Sequence, residues 1–196
     1  MELFLGIDIG TSGARAGIFD KEGNSLIFCE EFFPLYTPQS GWAEQEPQDW
    51  WNAVGSATRR AITEGGFDPA DIKGISFDTT CCTVMISGDD MIPLRPAIMW
   101  MDMRASSQAK RIAASGHPML KYNGYGPVSA EWLVSKALWL KENEPETYNK
   151  ATRFYECTDW LMYKLTGEYT ASINCASVRW YYNSQEGGYP VDFYKT

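Results

Sequence analysis

Histidine is almost absent from this sequence: His117 is the only one in 196 residues. That excludes a metal centre built on several histidines within these residues, and any Ser-His-Asp relay would have to run through that single ring. Positive charge is also scarce. Seventeen Lys and Arg stand against 25 Asp and Glu, a net charge of −8 with a pI of about 4.7. The basic footprint that a nucleic-acid backbone requires is missing, so nucleic acid is not an expected partner. No apolar run approaches the ~18–20 residues of a membrane-spanning helix, so no membrane partner is expected. The opening Met-Glu-Leu-Phe-Leu carries an acid where a secretory signal carries basic residues. Paired cysteines are lacking too. Cys29, Cys81, Cys82, Cys157 and Cys175 contain no C-x-x-C spacing, their number is odd, and neighbouring Cys81 and Cys82 are badly placed to bond to each other. They read as reduced, mostly buried thiols of a cytoplasmic protein.

What is present is the composition of a globular chain, with 44% hydrophobic and 21% charged residues. Residues 3–9 (LFLGIDI), 14–19 (ARAGIF) and 25–33 (SLIFCEEFF) read as strands. The connections between them are short, which makes an antiparallel meander. A Pro-, Gly-, Gln- and Ser-rich loop spans 34–46, and Pro47 then opens a helix that Gly65-Gly66 closes. Trp50, Trp51, Val54, Ala57, Ala61 and Ile62 fall at helical spacing along it. Strands are expected at 72–77 and 83–87. Helices are expected at 104–115, 129–143, 145–150 and 158–166, with Ser129 and Thr158 as N-caps and Gly167 as a stop. Strands first, then alternating helix and strand, imply an α/β domain with a mixed sheet. The aromatic and polar tail, 178–196, shows no closing element.

Four constellations could carry chemistry. The first is Asp8-Ile9-Gly10-Thr11-Ser12-Gly13-Ala14-Arg15, in which a strand delivers an acid to a glycine-bounded hairpin. Small residues let backbone N–H groups approach an anion, and the Thr11 and Ser12 hydroxyls add donors. A carboxylate beside phosphate oxygens is repulsive unless a cation lies between them, so Asp8 suggests Mg²⁺, with Arg15 offsetting transferred charge. It is neither a Walker A loop nor a G-x-G-x-x-G turn, and a plain hairpin has the same sequence. The second is Asp78-Thr79-Thr80-Cys81-Cys82 at the end of a strand, where an acid and hydroxyls suit a hydroxyl-rich ligand as well as an ordinary polar turn. The third is Trp100-Met101-Asp102-Met103-Arg104: Asp102 can accept from vicinal hydroxyls under the Trp100 indole, or form an exposed ion pair at a helix start. The fourth is Gly41-Trp42-Ala43-Glu44-Gln45, where the Trp could simply pin a long loop. Phosphate-type donors followed by polyol-type acceptors suggest phosphoryl transfer to a sugar, a reaction that depends on positioning and charge neutralisation.

Taken in order, GIDIGTSGARAGIFD, GWAEQEPQDWW, GISFDTTCCTVM, AIMWMDMRA, VSAEWLVSKALWLKENEPETY and CTDWLMYKLTGEYTASINCAS resemble the N-terminal domain of the FGGY family of carbohydrate kinases, almost end to end. The resemblance implies an actin-like, ribonuclease H-like ATPase fold with a mixed sheet and flanking helices. It implies transfer of the ATP γ-phosphoryl group to a primary hydroxyl of a sugar or polyol, with Mg²⁺. Under it, Asp8 is the metal-associated acid, and Gly10, Thr11, Ser12 and Arg15 form the first phosphate-binding loop. Asp78, Thr80, Cys82, Trp100, Asp102 and Glu131 face the substrate. Residues 1–196 are then part of the N-terminal, sugar-binding domain. The catalytic base, the rest of that domain and the nucleotide-binding domain lie beyond them, so these residues alone are expected to be inactive. Glycerol kinases carry Arg-Glu at the second motif and xylulose kinases a Ser-Gly-Gln-Met-His run; this chain has Asp78 to Cys82 there. Asp-Thr-Thr-Cys-Cys and NCASVRWYY are closer to the ribulokinase-like branch, which makes a ketopentose such as ribulose the first expectation, with xylulose and small pentitols open. A homodimer of the complete protein is a further expectation. The alternative reading is a non-catalytic actin-like module that binds a sugar and regulates.

Overall fold

The computed structural model describes residues 1–195, and residue 196, the end of the tail, lies outside the described residues. The chain divides into two compact units. Residues 1–35 and 45–80 make the first, and residues 36–44 and 81–195 belong to the second.

In the first unit, β1 (Leu3–Ile9) alternates buried and less buried residues, as a strand covered on one face must. Leu3, Leu5, Ile7 and Ile9 turn inward, while Phe4, Gly6 and Asp8 take the other face. β1 pairs antiparallel with β2 (Gly13–Asp20), and β2 pairs antiparallel with β3 (Ser25–Phe32). The expected meander is therefore present. β4 (Glu44–Gln45) marks the return of the chain to this unit. α1 (Pro47–Gly65) follows, with Pro47 in its first turn and Gly66 in the left-handed conformation (φ 66°) after it. Trp50, Ala53, Val54, Ala57 and Ala61 are buried on the face that covers β2 and β3. Each large apolar side chain buried this way contributes roughly 1.5–3 kcal/mol. β5 (Ile72–Thr79) then lies parallel to β1, completing a mixed sheet of order β3-β2-β1-β5. The β1–β5 register sets Asp8 directly beside Asp78.

The second unit holds β6 (Met85–Ser87), β7 (Ala97–Ile98), α2 (Ser106–Ala114), α3 (Leu133–Asn143), α4 (Pro145–Lys150), β8 (Arg153–Tyr155), α5 (Cys157–Thr166), α6 (Ile173–Trp180) and α7 (Val191–Lys195). Val84, Ile86, Ile98, Ala105, Leu133, Trp139 and Leu140 form one core cluster. Ala109, Met119, Leu120, Val128, Val134, Tyr181 and Phe193 form a second.

Several boundaries differ from the sequence expectation for local reasons. α2 begins at Ser106 rather than 104, because the Arg104 N–H and guanidinium are drawn back onto Asp102. α3 begins at Leu133, and Ser129 is not its N-cap. The Ser129 hydroxyl instead accepts from the Glu131 N–H (3.1 Å), and its carbonyl accepts from Ser135 Oγ (2.8 Å). Thr158 is likewise not a cap. α5 starts at Cys157, and the Asp159 carboxylate reaches back to the Glu156 N–H at 3.1 Å. Gly167 does stop α5, in the left-handed conformation at φ 77°. β8, antiparallel to β6, and the helices α6 and α7 in the tail were not expected.

Candidate functional site

In the first unit, seven of the candidate residues lie at one end of the sheet. Asp8 and Arg15 are cross-strand partners, and Arg15 Nη1 donates to Asp8 Oδ2 at 2.7 Å. Arg15 Nη2 meets Glu30 at 2.7 Å from the neighbouring strand. Asp8 first, then Glu30, hold the Arg15 guanidinium above its ordinary range. Between the strands, the Gly10 N–H donates to the Gly13 carbonyl at 2.9 Å, closing the turn that contains Thr11 and Ser12. Gly13 is needed there for its size: a Cβ would stand 2.7 Å from the Glu31 carbonyl oxygen. Asp78 lies exposed beside Asp8, one Asp78 oxygen accepting from the Thr79 N–H at 2.9 Å, and the Thr80 N–H donates to the Ile9 carbonyl at 2.8 Å. Asp8 and Arg15 are close to half exposed, so a ligand can reach both.

Gln45 is a member of this arrangement that its residue type alone did not reveal. It is 1% exposed, and its Nε2 donates to the Thr11 carbonyl at 2.8 Å while its Oε1 accepts from the Trp50 indole at 3.0 Å. The turn is thereby fixed from below by α1. The sequence signal was the Trp-Ala-Glu-Gln run, of which the tryptophan drew notice first.

The oxygen set fits a hard divalent cation. Asp8 and Asp78 are carboxylates held side by side, and Mg²⁺ takes one or two carboxylates together with water and phosphate oxygens. Among the described residues no group of three or more His, Cys, Asp or Glu side chains converges. Asp8 and Asp78 are the carboxylates at this end of the sheet that could hold such an ion.

In the second unit, Asp102 is 0% exposed. Its carboxylate accepts from the Ala43 N–H (2.6 Å), the Arg104 N–H (2.9 Å), Arg104 Nε (2.9 Å) and Arg104 Nη2 (2.8 Å). The ion pair weighed from sequence is present, but buried rather than exposed. Arg104 also stacks 3.8 Å over the Trp42 ring and reaches Glu44 at 2.8 Å. Trp42 packs edge-on against Trp139, so it does pin its loop. Trp100 is 38% exposed, and Glu131 is half-buried just before α3.

Cys82 occupies the left-handed region at φ 58°, a conformation that β-carbon-bearing residues seldom adopt. Its N–H donates to Glu156 Oε2 at 2.6 Å, its carbonyl accepts from Lys136 Nζ at 2.8 Å, and its Sγ accepts from Arg179 Nε at 2.8 Å. Burial pushes the Cys82 thiol up to about 11, so at neutral pH it is protonated and serves as a contact, not a nucleophile. Lys136, Glu156 and Arg179 were missed from sequence. A lysine inside an apolar helical run is the one signal that could have found the first of them. None of the five cysteines forms a disulfide. His117 accepts the Met119 N–H and caps a short 3₁₀ turn, so it is architecture. A cavity of about 670 Å³ walled by Tyr148, Phe154, Trp180 and Tyr194 contains none of the candidate residues.

The sequence profile described as the N-terminal domain of the FGGY family of carbohydrate kinases matches residues 3–195. The chain belongs to that family. An FGGY carbohydrate kinase domain-containing protein of Homo sapiens is 34% identical over 94% of this chain and 34% of its own length. A D-ribulokinase of Saccharomyces cerevisiae is also 34% identical, over 90% of this chain and 26% of its own. The crystal structure of a xyloylose kinase from Brucella ovis superposes with a TM-score of 0.81 at 26% identity, covering 86% of this chain and 35% of that one. The FGGY chain described here thus spans about a third of the length of these relatives, and its α/β fold with a mixed sheet is theirs, the actin-like ATPase fold. No described helix is long and apolar enough to cross a membrane.

Proposed function

We propose that this segment belongs to an ATP-dependent kinase that phosphorylates a primary hydroxyl of a sugar or polyol, with a ketopentose such as ribulose or xylulose as acceptor. The observation that carries the reading is the hairpin end of the first unit, where Asp8, Arg15 and Asp78 share one face of the sheet beside a turn of small residues.

Within the first unit, the turn that the Gly10 N–H closes carries the Thr11 and Ser12 donors proposed to meet a phosphoryl group, and it keeps its shape because Gln45 holds the Thr11 carbonyl. Arg15 adds a fixed positive charge that Asp8 and Glu30 keep oriented. Mg²⁺ held at Asp8 would supply charge neutralisation at the phosphoryl oxygens. Asp78 and Thr80 add a carboxylate and a hydroxyl at the end of β5 in the same unit. Within the second unit, Trp100, Cys82 and Glu131 are the side chains that would meet the acceptor, and Asp102 holds Arg104 and the Ala43 N–H. The base that takes the hydroxyl proton comes from the part of the relatives that this chain does not span. The Asp-Thr-Thr-Cys-Cys run supports a pentulose rather than glycerol.

The complete enzyme, given Mg-ATP and a panel of ketopentoses, pentitols and glycerol, should release ADP fastest with a ketopentose. Sugar binding without ADP release would replace the kinase reading by that of a sugar-binding regulatory module.

A further inference from the structure

We propose that Lys136 is a positioning residue for the acceptor: its buried ammonium ties the Cys82 carbonyl to the Met99 carbonyl and so fixes the two segments of the second unit that carry Cys82, Trp100 and Asp102. The proposal rests on the kinase reading above.

Lys136 is 0% exposed, a rare state for a lysine, and a buried ammonium is costly unless its protons are used. Two of them are. Nζ donates to the Cys82 carbonyl at 2.8 Å and to the Met99 carbonyl at 2.7 Å. The two acceptors are 17 residues apart in sequence, and each belongs to a segment holding a candidate residue. The Met99 carbonyl also accepts from the Asp102 N–H at 3.1 Å, so the atom held by Lys136 begins the turn that presents Trp100 and Asp102. Cys82, at φ 58°, is held from the other side by Glu156. An uncommon backbone conformation gripped at both its N–H and its carbonyl is one the surroundings must impose. Lys136 sits near the start of α3, whose Leu133 and Leu140 lie in the core, so the grip is transmitted from a rigid element to two irregular ones. Asp102, Cys82, Glu131 and Glu156 are the groups that favour its charge against burial.

A merely structural lysine would lower stability on substitution, because Lys136→Met takes a donor from the Cys82 carbonyl, but it would leave the sugar KM of the folded enzyme unmoved. A positioning lysine is not dispensable for substrate binding. Lys136→Met is therefore made in the full-length enzyme, using the acceptor that the substrate panel identifies. The expected result is a KM for sugar raised about 30-fold, with KM for ATP within about twofold, as loss of ~2 kcal/mol of binding would give. Amide exchange at Cys82 and Asp102 should quicken at least tenfold, with α1 unaffected. Lys136→Gln, which keeps an uncharged N–H donor group on a shorter stem, should fall between wild type and Lys136→Met. An unchanged sugar KM in a folded Lys136→Met enzyme overturns the proposal. If no sugar is phosphorylated by the wild type, the kinase reading has failed, and exchange alone decides: unaltered exchange at both amides overturns the positioning role. Insolubility of both variants also overturns it, since Lys136 would then determine folding rather than loop position.

Discussion

Asp102 is a carboxylate with no water left to it. Sequence marked it as a sugar ligand, but its four acceptor contacts are taken by Arg104 and the Ala43 N–H. Asp102→Ala takes from the buried Arg104 guanidinium one of its two carboxylate partners, leaving Glu44, and breaking one arm of a buried ion pair costs up to about 3 kcal/mol. Chemical denaturation should show that loss in addition to any weakening of sugar binding. Asp8→Asn should behave in the opposite way. The Asp8–Arg15 pair is close to half exposed, so stability should move by less than about 1 kcal/mol. Turnover of the complete enzyme should fall roughly 10²-fold and its Mg²⁺ requirement should shift if, as proposed, the lost charge holds the ion at the phosphoryl group. Initial rates against Mg²⁺ concentration test this, and an unaltered Mg²⁺ profile would remove Asp8 from the metal. Glu156 gives a pH signature. Burial raises its pKa, so the folded state binds a proton more readily than the unfolded chain. Stability from this group is complete below the ordinary carboxylate range and declines as pH rises through the raised value. Denaturation midpoints measured from pH 4 to 7 should show that decline in the wild type and a flatter profile in Glu156→Gln.

At the scale of elements, the hairpin between β1 and β2 is tightly packed at Gly13. Gly13→Ala would push a Cβ to 2.7 Å from a backbone oxygen of β3, which cannot swing aside as a side chain would. Overpacking of this kind costs about 1–3 kcal/mol, readable as a lowered thermal midpoint. The strands and helices with strong patterns were legible in the sequence: β1 to β3 from alternation and turn residues, α1 from Pro47, its apolar stripe and Gly66. The caps were not, because Ser129 and Thr158 are good capping residues whose neighbours won. At α5 an aspartate at the third helical position claimed the Glu156 N–H; before α3 the serine closed a turn of its own. The tail read as irregular because its helices are short and stabilised by tertiary aromatic contacts, such as Trp180 with Phe154 and Tyr181 with Phe193, which no local pattern encodes. In the site, side chains next to glycines were found, whereas Gln45, Lys136 and Glu156 act from distant positions in the chain. Only the fold brings Lys136 to Cys82.

For the molecule as a whole, the first unit leaves much of one sheet face uncovered. Phe28 is 62% and Phe32 74% exposed on the edge strand β3, with Phe4 on β1 at 41%. Exposed aromatic side chains on an open edge strand promote association. Residues 1–196 produced alone should therefore elute from gel filtration at a volume that depends on concentration. Phe28→Lys with Phe32→Lys should abolish that dependence, and a profile indifferent to both changes would show that this face is not sticky.

The sealed environment of Lys136 also makes it a reporter. An acylating reagent added to the folded protein will modify the surface amines at once and will reach this one only when the second unit opens. Its rate of labelling, followed peptide by peptide, is then a clock for the rarest excursions of that unit, readable without any substrate at all.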